Sequence, residues 1–272
     1  MEKGTLYLVA TPIGNLEDIT FRAIKTLEEV DLIAAEDTRQ TLKLLNHYNI
    51  SKPLISYHRH NEDVRSDVLI KKLEEGQNIA VVTDAGTPAI SDPGEEIVRV
   101  AIENNITIIP IPGACALINA LIPSGLNTKE FSFYGFLPLN KKLRNEKFEQ
   151  LKSDSKTMII YEAPHRLITT IKDIIEKLGD RQIVVAKEIT KIHETFLRGN
   201  ASELVNKIEN PKGEHIILIK GEKNKKENKL NNLSLENHYK YYENQGLDKK
   251  EIIKKIAKDR KVNKNEIYKY FI

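Results

Sequence analysis

The first 125 residues alternate between two patterns. Residues 5–10, 31–35, 53–57, 79–82 and 106–111 are short runs of Leu, Ile, Val and Ala with little charge, and they read as five strands buried on both faces. Residues 20–30, 64–75 and 95–102 repeat their apolar positions every three or four residues, as does a segment through Leu42, Leu44 and Leu45 to His47. Residues 114–121 form one further, wholly apolar, helical stretch. Strands and helices alternating at this length predict an α/β fold with a mainly parallel sheet covered on both sides. Ligands of such sheets bind beyond the carboxyl ends of the strands. The polar clusters of this half all fall at such ends.

The fourth strand runs into Thr83-Asp84-Ala85-Gly86-Thr87-Pro88-Ala89-Ile90-Ser91-Asp92-Pro93-Gly94. Two glycines and two prolines exclude regular structure there, so its main-chain groups are free either to close a stiff turn or to serve a ligand. The other strand ends carry Thr11-Pro12-Ile13-Gly14-Asn15-Leu16-Glu17-Asp18, Glu36-Asp37-Thr38-Arg39 and His58-Arg59-His60-Asn61-Glu62.

The second half has more strands than helices. Strands are predicted at 131–136, 157–161, 182–186, 194–198 and 213–219, with helices at 141–152, from Pro164 to Leu178, and at 201–209. This balance predicts a mixed sheet. The expected organisation is an N-terminal α/β domain over 1–125, a second α/β domain over 126–221, a solvated linker over 222–232 and a basic helical tail over 233–272. The tail shows three helical patterns, 234–245, 248–260 and 264–271, the last two with the spacing of a helix-turn-helix or of a small structural appendage.

Charge sharpens the picture of the tail. Residues 220–272 hold 15 Lys and Arg against 8 Asp and Glu, whereas the first 219 hold 27 against 31. A mildly acidic body with a basic tail suits a polyanionic partner, although a Lys-rich tail also serves solubility. The single Cys115 excludes an internal disulfide framework and a cysteine zinc site, and suits a reducing, cytoplasmic setting. No apolar run approaches a membrane span, and the first residues carry no signal-peptide pattern.

Four motifs occur in register: Thr11-Pro12-Ile13-Gly14-Asn15-Leu16, Glu36-Asp37-Thr38-Arg39, the Asp84–Gly94 loop, and Tyr161-Glu162-Ala163-Pro164-His165-Arg166. Together they resemble the ribosomal small-subunit RNA cytidine 2′-O-ribose methyltransferases of the tetrapyrrole methylase superfamily. The likeness runs from about Leu6 to Ile219 and more loosely into the tail. It implies a two-domain tetrapyrrole-methylase-like fold with a small helical appendage, S-adenosyl-L-methionine bound between the domains, and a homodimer. It also implies a 16S rRNA or small-subunit substrate, methylated on the ribose 2′-hydroxyl of a cytidine in the decoding region. By resemblance, Pro12, Ile13, Gly14, Asp84, Gly86, Thr87, Pro88, Ile90, Cys115, Ala116 and Tyr161 border the cofactor. Pro112-Gly113-Ala114-Cys115-Ala116 departs from the family's usual Pro-Gly-Pro-Ser-Ala, and a thiol bonds more weakly than a hydroxyl. Lys187-Glu188-Ile189-Thr190-Lys191 keeps the charge of the usual Arg-Glu-Leu-Thr-Lys but loses a planar fork.

A ribose hydroxyl is a poor acid, so its methylation calls for a proton acceptor or a cation beside the developing alkoxide. Glu36, Asp37, Arg39 and Glu162 are the expected catalytic group. Asp37 or Glu162 is expected to take the proton, while Arg39 and Arg166 hold RNA phosphates. The competing role of Asp37 and Arg39 is an ion pair that fixes their loop. His58, His60 and Glu62 lack a fourth metal ligand at a recognisable spacing, so no metal is expected. Cys115 has no His partner in sequence and reads as small packing beside the cofactor. Two rivals remain on sequence grounds: a methylase of corrin or porphyrin precursors, and a non-catalytic RNA-binding module.

Overall fold

The computed structural model describes residues 2–222, 229–260 and 262–271. The chain forms two compact units, Met1–Gly221 and Glu222–Ile272. Part of the expected linker, 223–228, lies outside the described residues.

The larger unit holds two five-stranded sheets. The first is built from β1 (Thr5–Val9), β2 (Leu32–Ala35), β3 (Leu54–Ser56), β4 (Ile79–Val82) and β5 (Thr107–Ile111). Its order is β3-β2-β4-β1-β5, and every pair is parallel. The helices between are α1 (Phe21–Glu29), α2 (Thr38–His47), α3 (Glu62–Glu74) and α4 (Glu95–Glu103), followed by α5 (Ala116–Leu121). Successive strand residues point to opposite faces, and both faces are apolar here. Leu32, Ala34, Ile79 and Val81 pack with Leu69, Leu73, Ile97 and Ala101 from α3 and α4. Ile33, Ala35, Ala80 and Val82 pack on the other side with Ala23 and Leu27 of α1 and Leu45 of α2. Double-sided burial is the reason these strands read as continuous apolar runs rather than alternating ones.

The second sheet contains β6 (Phe131–Phe136), β7 (Thr157–Glu162), β8 (Gln182–Lys187), β9 (Thr195–Asn200) and β10 (His215–Ile219), in the order β6-β7-β10-β8-β9. Only β6 and β7 are parallel; β10 runs antiparallel to both β7 and β8, and β9 to β8. One face packs on α6 (Lys141–Lys152), α7 (Pro164–Leu178) and α8 (Ala201–Lys207) through Phe148, Leu167, Ile171 and Leu204. The other face, with Ile159, Val184, Ala186, Ile216 and Leu218, packs on Leu117, Ala120 and Leu121 of α5 and meets Ile13 from the β1 loop. That shared core joins the sheets and leaves the carboxyl ends of β1, β4 and β5 facing the end of β7.

The smaller unit comprises α9 (Leu235–Glu243), α10 (Lys249–Arg260) and α11 (Lys264–Tyr270) around Tyr242, Ile252, Ile253, Ile256, Ala257 and Ile267. Its buried polar centre is His238, whose Nε2 lies 3.2 Å from Asp259 while its Nδ1 accepts from Arg260 Nε at 3.2 Å. Among the described residues no helix is long and apolar enough to cross a membrane.

Candidate active site

Neighbouring strands β4, β1 and β5 end side by side, and the loops leaving them are tied together. Thr11 and Gly86 exchange two backbone bonds, at 2.8 and 3.0 Å. Thr11 Oγ1 donates to the Thr83 carbonyl at 3.2 Å, and Thr87 Oγ1 to the Ala114 carbonyl at 3.0 Å. Gly86 has φ +86°, and a Cβ there would stand 3.2 Å from Ile13 Cγ2. A side chain would therefore be strained by the backbone and crowded by the loop opposite.

Beyond Pro88 the loop is strained and clamped. Ala89 and Ser91 have φ of +66° and +68°, and Gly94, the N-cap of α4, has φ +137°. The Ala89 amide donates to the Pro93 carbonyl at 3.1 Å, and Arg59 donates to the Ser91 carbonyl. Non-glycine residues held at positive φ persist only where the surroundings over-determine them, and they gather at functional sites.

These loops form one wall of a cavity of about 460 Å³. Ile13, Gly86, Thr87, Ile90, Cys115 and Ala116 line that wall, together with Ala85, Ser91 and Asp92. The opposite wall is Phe136, Tyr161, Ala186, Glu188, Ile189, Lys191 and the strand start Gly213-Glu214-His215-Ile216. Tyr161 is held edge-on against Phe133 and Phe136 at 5.0 and 5.6 Å, and burial pushes its phenol upward. Antiparallel pairing explains the last four residues: it sets His215 beside Glu162 and Lys187, so the start of β10 shares an edge with the ends of β7 and β8.

The expected site residues divide accordingly. Ile13, Gly86, Thr87, Ile90, Cys115, Ala116 and Tyr161 line the cavity. Pro12 and Asp84 line a neighbouring hollow with Thr11, Gln40, Thr41 and Thr83. Gly14 lies against Lys191 and Thr190, and Pro88 is buried beneath the loop.

Glu36, Asp37 and Arg39 sit at the end of β2, outside the cavity lining. The Asp84 amide donates to Glu36 at 3.3 Å and the Asp37 amide to Asp84 at 3.0 Å. Asp37 caps α2, accepting from the Arg39 amide at 2.8 Å and from its guanidinium at 3.1 and 2.7 Å. Those bonds hold the Asp37 carboxyl down at about 2, so it is a weak proton acceptor.

Glu162 is displaced further from its expected role. It follows Tyr161 on β7 and so faces away from the cavity. It is fully buried, accepts from Thr170 Oγ1 at 2.5 Å, and lies 3.4 Å from Arg166 and 3.9 Å from Arg144. Arg166, expected on RNA phosphates, donates instead to the Leu137 carbonyl at 2.9 Å. Among the described residues no cluster of His, Cys, Asp and Glu could hold a metal ion.

Sequence reasoning missed Ser91 and Asp92 as cavity residues, although both lie in the loop it singled out. Glu188 and Lys191, which bond each other at 3.2 Å, belong to the Lys187–Lys191 motif that the family resemblance singled out. Their loop carries two further positive-φ residues, Glu188 at +51° and Thr190 at +69°. Gly213 to Ile216 gave only a polar step before an apolar run.

The residues fit a nucleoside-bearing cation. Isoleucine, alanine, phenylalanine and tyrosine side chains offer an apolar bed, and His215 Nδ1 is buried at the wall without a partner. A Cβ at Gly213 would strike Glu188. Asp92, Glu188 and Glu214 outnumber Lys191, giving the cavity a negative field.

A two-sheet α/β body with a crevice at its topological switch point defines the tetrapyrrole methylase class. The sequence model of the Tetrapyrrole (Corrin/Porphyrin) Methylases matches residues 5–205. Diphthine synthase superimposes with a TM-score of 0.64 at 14% identity, over 80% of this chain and 90% of that one. Uroporphyrin-III C-methyl transferase from Thermus thermophilus, solved with S-adenyl homocysteine, gives 0.57 at 17%, over 79% and 97%. Among curated proteins the chain is 50% identical to "Ribosomal RNA small subunit methyltransferase I" of Halalkalibacterium halodurans, over 99% of this chain and 95% of the relative. The chain belongs to the tetrapyrrole methylase family and, within it, to the group of these small-subunit rRNA methyltransferases.

Proposed function

We propose that the protein transfers a methyl group from S-adenosyl-L-methionine to the ribose 2′-hydroxyl of a cytidine in the decoding region of 16S rRNA. The observation that carries this reading is the near-full-length 50% identity to an rRNA small-subunit methyltransferase in a chain whose strand-end loops frame a cofactor-sized cavity. When bound, the sulfonium supplies an activated methyl carbon. Gly86 and Thr87 would hold the donor's polar parts, Ile13, Ile90, Ala116 and Tyr161 its apolar surface, and His215 Nδ1 would find its missing partner. The chain's own work is positioning and electrostatics. In this reading residues 1–125 and 126–221 act as two lobes around the donor, and the basic tail, 233–272, contacts RNA. Arg39 meets a phosphate, held ready by Asp37. The substrate is 16S rRNA or the small subunit, and the enzyme works in the cytoplasm as a homodimer.

The test is transfer of tritiated methyl to small subunits from a strain lacking the gene, followed by nucleoside mass spectrometry. The expected product is 2′-O-methylcytidine. Methylation of a porphyrinogen instead, with rRNA unlabelled, would overturn the reading; so would failure to bind S-adenosylmethionine in calorimetry.

A further inference from the structure

We propose that Asp92 is the catalytic residue that accepts the ribose proton. This rests on the ribose-methylation reading. Three observations converge on it. First, the two carboxylates expected in this role are otherwise committed: Asp37 is locked to Arg39, and Glu162 is buried on the far face of β7. Second, Asp92 lines the cavity and, among the described residues, its carboxylate makes no hydrogen bond or ion pair and feels its neighbours only through space. Third, it directly follows Ser91, held at φ +68°, in a loop that also holds Ala89 at φ +66°. Arg59 pins that backbone through the Ser91 carbonyl. Strain stored beside an unpaired carboxylate serves to aim it.

The electrostatic setting suits a base. Glu36 from the end of β2, Asp84 from the end of β4 and Glu214 before β10 all press on Asp92, and Arg59 from the end of β3 only partly opposes them. Tyr161 of β7 faces it as a neutral phenol, and Glu188 and Lys191 of the same cavity neutralise each other. Burial, the largest cause, and these like charges push the carboxyl up to about 6. It is therefore ionised at neutral pH, yet holds a proton better than an ordinary aspartate.

The step balances. The ribose oxygen forms its bond to the methyl carbon, and the methyl–sulfur bond breaks with its electron pair left on sulfur. The hydroxyl proton passes to a carboxylate oxygen of Asp92 and from there to solvent. Cation and carboxylate are both neutralised, so their charges vanish together in a partly desolvated site.

The experiment compares wild type, Asp92→Asn and Asp92→Glu on small-subunit substrate, beside calorimetry with S-adenosylmethionine and carboxyl-carbon NMR of the free protein. The expected Asp92→Asn turnover is about 100-fold or more below wild type, with partial recovery in Asp92→Glu. Cofactor affinity should fall by much less than turnover, because Glu188 and Glu214 still outnumber Lys191 in the cavity. The wild-type rate should fall tenfold per pH unit below about 6, a limb absent from Asp92→Asn, and the NMR titration should show a carboxyl near 6 that vanishes in that variant. Near-normal turnover of Asp92→Asn overturns the proposal while leaving ribose methylation intact. A loss of cofactor binding that matches the loss of turnover also overturns it. No labelling of RNA by wild type overturns the methylation reading and this proposal with it.

Discussion

Substituting Glu162 by Gln separates a structural carboxylate from a chemical one. The Gln keeps the volume and one oxygen for Thr170 Oγ1, which donates at 2.5 Å, but it loses the second oxygen, which accepts from the Ala163 amide at 3.0 Å, and the charge facing Arg144 and Arg166. Removing one partner of a buried ion pair costs about 3–5 kcal/mol when the remaining charge is stranded. Here Arg144 retains Asp173 at 2.8 Å, and Arg166, which loses its carboxylate, retains the Leu137 carbonyl at 2.9 Å and is partly open to water, which screens its charge. The expected loss is therefore below that range, about 2–3 kcal/mol. In a unit of this size that lowers the melting temperature by about 4–12 °C. Differential scanning calorimetry measures it, and hydrogen exchange in β7 and α7 assigns the transition to the larger unit. Well below melting, the folded variant should still bind S-adenosylmethionine and transfer methyl groups. A variant that melts within about 1 °C of wild type, binds cofactor and transfers nothing would refute the reasoning and return Glu162 to the chemistry.

Gly86→Ala places a side chain at φ +86°, 3.2 Å from Ile13 Cγ2. It should cost about 1–2 kcal/mol in stability and weaken S-adenosylmethionine binding in calorimetry. Asp37→Asn keeps a competent cap for α2 but loosens Arg39, so steady-state kinetics should show KM for RNA rising more than kcat falls. Because the Asp37 carboxyl lies at about 2 rather than 3.8, its stabilising contribution is complete above about 4 and disappears as pH falls through about 2, which acid titration of unfolding would follow. Asp92 has the opposite sign. Its carboxyl lies near 6 rather than 3.8, so stability falls as pH rises between those values, and Asp92→Asn should be more stable than wild type above pH 6. After allowance for solvent screening the gain is about 1 kcal/mol, measurable by urea unfolding at pH 5 and pH 8. Lys250, Lys254 and Lys258 are exposed on one face of α10. Replacing all three by Gln should lower the salt slope of RNA binding by about 2, as three lost phosphate contacts require.

The local pattern of the chain determined a large part of this protein. Five runs of branched and small apolar residues, each too short for a helix and too uniform for a half-exposed strand, required a sheet buried on both faces. The positions of Gly86, Pro88, Pro93 and Gly94 required an irregular loop after β4. The motif around Ile13, Cys115 and Tyr161 located cavity residues because loops at strand ends are neighbours whenever their strands are. Three things depended on tertiary structure. Antiparallel pairing of β10 with β7 and β8 brought Gly213 to Ile216 into the wall, through contacts between segments distant in the chain that no local period encodes. The pleat of β7 sent Tyr161 into the cavity and its neighbour Glu162 into a core of arginines. Folding set Asp92 among Glu36, Asp84 and Glu214, with Arg59 only partly opposing them, so which carboxylate stays free was decided by long-range packing. Periodicity depends on near neighbours and survives in the sequence; the partner of a charge depends on which distant segments fold against it.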